Sequence, residues 1–90
     1  MLEYKVGEKQ YVSATVRPET ANEIAVVNAA SYEFSCYESD AIIDRGECEI
    51  EGDSLRVLLD FLKAGFFTLK IIAQVGKETI IGTKTISVKE

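Results

Sequence analysis

The side chains able to do chemistry in this chain are few, and an absence defines them first. No histidine occurs among the 90 residues. Ser–His and Cys–His nucleophile pairs therefore do not exist within one copy, and the commonest general acid–base group and metal ligand is missing. What remains is Cys36, Cys48 and a run of carboxylates: Glu38, Asp40, Asp44, Glu47, Glu49, Glu51 and Asp53. Two thiols without an imidazole do not make a zinc site. The carboxylates are hard oxygen donors of the kind Ca²⁺ takes, but no Asp-x-Asp-x-Asp-Gly loop arranges them. Alternating Glu47, Glu49 and Glu51 reads instead as the solvent face of a strand, where charge also deters edge pairing. Gly65, Gly76 and Gly82 build no phosphate loop, because no Gly-rich turn leads into a helix. The expectation is no catalytic residue, no metal, no cofactor and no enzyme.

The elements that must position these groups are strands. Gly65–Val75 and Thr79–Val88 are β-branched and aromatic runs around the turn Gly76-Lys77-Glu78, which predicts a long antiparallel hairpin. Phe67, Leu69, Ile71 and Ala73 share its inner face. Tyr4–Glu8 reads as a short leading strand or arm ending at Gly7. Tyr11–Arg17 alternates strictly, with Val12, Ala14 and Val16 inward, and Pro18 stops it. Glu19–Asn22 is a turn, Ile24–Val27 an ambiguous apolar run, and Asn28-Ala29 a break. Tyr32, Phe34 and Cys36 then alternate inward. Gly46 predicts a bulge or bend, with Cys48 and Ile50 inward after it. Leu55, Val57 and Leu59 form a further inner face, and Leu58 on the other side suggests a strand covered on both faces. Asp60–Ala64 is a connection with room for a helical turn. The predicted core is Val12, Ala14, Val16, Tyr32, Phe34, Cys36, Cys48, Ile50, Leu55, Val57, Leu59, Phe67, Leu69, Ile71, Ile86 and Val88.

About seven strands with turns every 8–12 residues predict an all-β sandwich. Residues 1–90 form one domain of it, with residues 1–9 an N-terminal arm or edge strand. The cysteines leave two arrangements open. A hairpin centred near Ile42 sets Cys36 and Cys48 opposite each other, where they can bridge; a turn at Ser39-Asp40 keeps them apart. Two buried thiols are the favoured arrangement, because the N-terminus lacks the order of a signal peptide. If Met1 is the native start, synthesis and retention in the cytoplasm follow.

Net charge is −5, unevenly spread: residues 33–53 hold eight acids and one base, residues 54–90 six bases and three acids. The acidic middle argues against nucleic acid, and no apolar run approaches the ~20 residues of a membrane span. Tyr4, Tyr11, Tyr37 and Phe66 fall on predicted outer faces or strand ends. Aromatics so placed often anchor protein interfaces, which makes these four the candidate contact residues.

At Lys63-Ala64-Gly65-Phe66-Phe67-Thr68-Leu69 the chain resembles the late strand of immunoglobulin-like domains, where Gly, one residue and an aromatic open the strand of the final hairpin. Phe67 stands where that family commonly has Tyr, so the corner hydrogen bond of that Tyr is lost. The Cys–Trp–Cys core of antibody domains is absent. Across residues 10–90, Ala14-Thr15-Val16, Tyr32-Glu33-Phe34, Gly46–Ile50, Ala64–Leu69, Val75–Thr79 and Ile86-Ser87-Val88 are similar in order to small immunoglobulin-like proteins of tailed phages and prophages, including tail and baseplate accessory modules. That resemblance implies a structural protein of a phage or prophage particle, made in the cytoplasm and incorporated there. Its partners would be other protein subunits, itself included as a homo-oligomer, with no nucleic acid or membrane. The alternative is a ligand-binding or adhesive module of a bacterial surface protein, which would be extracellular.

Overall fold

The computed structural model describes residues 1–16 and 27–90. The expectations for Arg17, Pro18, the turn at 19–22 and the run at 24–26 lie outside the described residues. Eight strands follow in order: β1 (Leu2–Lys5), β2 (Lys9–Thr15), β3 (Val27–Cys36), β4 (Ile42–Glu47), β5 (Glu49–Glu51), β6 (Ser54–Asp60), β7 (Gly65–Val75) and β8 (Glu78–Lys89). They form two packed sheets, one in the order β1-β8-β7-β3-β4 and one in the order β2-β6-β5. The protein is an all-β sandwich, as its alternating sequence predicts. Among the described residues the count is eight rather than about seven, and one pairing departs from an all-antiparallel arrangement: β1 runs parallel to β8, Leu2 opposite Ile86 through Lys5 opposite Lys89.

The β7–β8 hairpin forms as expected, in register from Gly65–Val88 to Val75–Glu78. Gly76 sits in its two-residue turn at φ 61°, a backbone region that costs glycine nothing and other residues more. At the opposite end, Asp40 takes φ 56° where β3 turns back toward β4, and Asp is among the few side chains that tolerate it. Asn28-Ala29 does not interrupt β3. It lies at a register shift between Val27 and Ala29, so one continuous strand absorbs an irregularity. Gly46 is likewise no bulge, since it pairs with Tyr32; the irregularity of β3–β4 falls between Phe34 and Ser35.

Inward residues from both sheets make one core, in which Leu55, Leu59, Leu69, Ile86, Val12 and Val57 are almost fully buried. Several expectations fail at its margins. Ile50 is 41% exposed, because β5 is a three-residue edge strand with a neighbour on only one side. Leu58 is also 41% exposed, so β6 is covered on one face only. Ala14, Tyr32 and Cys36 pack against the core only partly buried. Residues 61–64 form no helical turn; they carry Phe61, which is 1% exposed and was not among the expected core.

Phe61 closes one end of the sandwich. Its N–H donates to the carbonyl of Glu8 and its carbonyl accepts from the N–H of Gly7, 2.9 and 2.8 Å, which ties the β6–β7 connection to the β1–β2 turn. The ring stacks on Tyr4 at 4.3 Å and meets Phe34 edge-on at 6.2 Å. Phe61→Ala removes this contact set and leaves a cavity, so it should cost about 3–5 kcal/mol in urea unfolding. Leu62→Ala next to it, at a side chain 77% exposed, should stay within about 0.5 kcal/mol.

Candidate functional site

The four candidate contact residues do not stay together. Tyr4 is half-buried against Phe61, a correction to its placement as an outer residue: the phase of a four-residue strand is set by pairing with β8, which turns Tyr4 toward the core. Tyr11 is 45% exposed on the outer face of the three-stranded sheet. The Arg56 guanidinium sits over its ring at 4.5 Å and reaches Glu49 at 3.4 Å, a ladder across β2, β6 and β5. Tyr37 and Phe66 do come together. The N–H of Tyr37 donates to the carbonyl of Phe66, 3.0 Å, continuing the β3–β7 ladder one step past Cys36–Phe67. Residues opposite each other share a face, so both rings lie outside the five-stranded sheet at the end away from Gly76.

Three exposed aliphatic residues stand at the same end of the sandwich, none of them marked by the sequence as surface. Ile42 and Ile43 open β4 on the edge of the large sheet, 44% and 51% exposed, and Leu62 stands out from the β6–β7 connection. Ile43 and Leu62 flank a cleft of ≈ 130 Å³ floored by Phe34, Phe61 and Phe67. That is well below the ~300–1,000 Å³ typical of a small-molecule pocket and suits a single inserted side chain. Asp60 and Lys63 also line the cleft, and Lys9 reaches Asp60 at 4.0 Å, so its polar margin holds both signs of charge. A second hollow, ≈ 230 Å³, opens between Ala14–Val16 and Ile80–Lys84 where the longer sheet overhangs the shorter, and no acid–base pair lines it.

The thiols are apart and free. β3 turns at Tyr37–Ser39, so Cys36 lies opposite Phe67, while the N–H of Cys48 donates to Ala30. The interval from Ala30 to Cys36 along β3 is roughly 20 Å, beyond any bridge. Burial pushes the Cys48 thiol up, which makes it a poor nucleophile. No group of three or more acidic or cysteine side chains is arranged to hold a metal ion among the described residues.

Tyr32 is also perturbed. Its ring lies over Gly46, where a β-carbon would come within 3.2 Å of it, and its hydroxyl donates to Asp44 Oδ2 at 2.9 Å. Burial first, then the hydrogen bond and the charge of Asp44, push its pKa up to about 12. The folded state thus holds the proton more tightly than the unfolded chain. This contribution to stability is fully present below about pH 10 and is lost as pH rises through about 12. Asp44→Asn should move the Tyr32 transition, followed by tyrosine-ring NMR, downward but not to the ordinary value, because burial remains. An unmoved transition would mean that the Asp44 contact contributes nothing.

Two solved structures share this fold. One is an engineered protein, with a TM-score of 0.76 at 11% identity over 99% of this chain; the chain spans 18% of it. The other is CopC from Methylosinus trichosporium OB3b, with a TM-score of 0.69 at 11% identity over 99% of this chain and 85% of CopC. The sequence matches no protein-family model and no curated protein. At 11% identity these likenesses establish the sandwich and nothing about its chemistry.

Proposed function

We propose that this protein is a non-catalytic structural or assembly protein that works by docking another protein subunit at the Phe66 end of its sandwich. One observation carries the reading. Tyr37, Ile42, Ile43, Leu62 and Phe66 are 44–77% exposed and gathered at one end of a chain of 90 residues. Apolar surface concentrated in this way and rimmed by polar groups marks interaction sites. Aromatics at its centre and a cleft fit for one side chain are what hot-spot anchoring needs. The phage or prophage setting is the narrower part of the proposal, and its support is the sequence resemblance alone.

Photo-cross-linking in the native host tests this. A photoreactive phenylalanine at Phe66 or at Leu62 should yield an adduct with the same discrete protein subunit, and one at Asp53, at the far end, should not. A particle component as that subunit would support the phage setting; a host-surface receptor or glycan-bearing protein would favour the adhesive alternative. Adducts without selectivity, or equal from all three positions, would contradict a docking end.

A further inference from the structure

The Phe66 end explains how one copy meets a partner, but the β8 edge remains unaccounted for. β1 covers β8 only from Ile86 to Lys89, and among the described residues no strand pairs with Glu78–Thr85 on that side. The phase of the open edge follows from the hairpin. With a two-residue turn, Val75 and Glu78 form a hydrogen-bonded pair, so even-numbered residues of β8 bond to β7 and odd-numbered ones direct N–H and C=O outward. The Val6 N–H donating to the Lys89 carbonyl on the β1 side, 2.8 Å, fits that phase. Thr79, Ile81 and Thr83 therefore present unpaired backbone donors and acceptors along a Thr- and Ile-rich strand, a template for strand addition.

We propose that two copies of this chain join through these edges, β8 antiparallel to β8 about a two-fold axis at Ile81. This rests on the assembly reading above and names a second contact within it. Outward-directed residues must face one another, so Ile81 meets Ile81 of the second copy and Thr79 meets Thr83. The same register sets Glu78 opposite Lys84 of the second copy, twice, on the inner face that Lys84 shares with Leu69. A lysine on the inner face of an edge strand ordinarily deters pairing. Here it is neutralised by an acid at one register, which favours the chain's own copy over other strands. Gly82 fits the same arrangement. A β-carbon there would meet nothing within 4 Å, so the single copy has no packing need for glycine in mid-strand. In the pair, Gly82 lies opposite Ile80 and leaves room for it.

The edges formed by β4, β5 and β2 differ in chemistry. β4 carries Asp44 and Glu47 beside an irregular pairing, β5 is a three-residue segment with Glu49 and Glu51, and β2 has no acid along Lys9–Thr15 to answer Lys9. Two copies paired along β5 about Ile50 would set Glu49 against Glu51, and β4, with Asp44, Arg45 and Glu47, already pairs irregularly with β3.

Light scattering behind size exclusion, with reductant and over a wide loading range, tests the pairing. The wild type should dimerise with rising concentration. Glu78→Lys and Lys84→Glu should each raise the dissociation constant about tenfold or more by placing like charges opposite each other, and the double variant should restore it. Gly82→Val should weaken the dimer while leaving the melting of dilute protein unchanged or raised. Phe66→Ser should leave the dimer intact, which separates this contact from the docking end. A monomer at every concentration overturns the proposal. So does a dimer indifferent to the charge variants, although that result leaves the docking end standing.

Discussion

A sheet of three strands spans about 10 Å between its outer strand axes and a sheet of five about 19 Å, so the smaller sheet here leaves part of the larger one uncovered. Much of the surface follows from that mismatch. The core collects where the sheets overlap, around Leu55, Val57, Leu59, Leu69, Ile71 and Ile86. Outside the overlap, β4 is exposed along its whole length, and β5 holds Ile50 at a margin with no neighbour beyond it. Phe61 seals one end of the overlap from a connection rather than a strand, bonded through its backbone to Gly7 and Glu8. Its neighbour Leu62 is left outside and becomes part of the apolar end.

The uncovered surfaces differ in chemistry, and the difference sorts their roles. Along β4 and β5, Asp44, Glu47, Glu49 and Glu51 keep an open margin from pairing with like margins. The acid-rich and base-rich halves of the sequence thus become a guarded side rather than two oppositely charged ends. At the end that holds Gly76, one turn carries Lys77 and Glu78 and the other carries the two acids Glu51 and Asp53. The Phe66 end is apolar and cleft-bearing, suited to an inserted side chain. The β8 edge is nearly neutral and self-complementary. The proposed docking end and the proposed self-pairing edge would together link subunits in two directions.

The hairpin, the sandwich and most inner faces were legible because strict alternation encodes a face directly, as in Val12-Ser13-Ala14 or Phe67-Thr68-Leu69. Phe61 was not, because Phe61-Leu62 lies outside any alternating run and nothing local says which of the two turns inward. Ile50 has the right phase but the wrong position, since alternation tells which way a side chain points and not whether anything lies over it. The parallel β1–β8 pair leaves no mark in a four-residue segment, which is why Tyr4 was read on the wrong face. Within the candidate site, Tyr37 and Phe66 were recognisable by residue type at strand ends. Ile42, Ile43 and Leu62 carried no mark of a surface site, since nothing local says that no strand lies over them.

The account turns on the claim that the surfaces left open by the smaller sheet are contact surfaces of distinct kinds. Backbone amide exchange, read residue by residue at low and high protein concentration, examines it most directly. Thr79, Ile81 and Thr83 should exchange quickly when dilute and slow markedly when concentrated, while exchange along Ile42–Glu47 on the guarded edge stays the same at both. Slowing centred on β4, or no dependence on concentration at any residue, would contradict it.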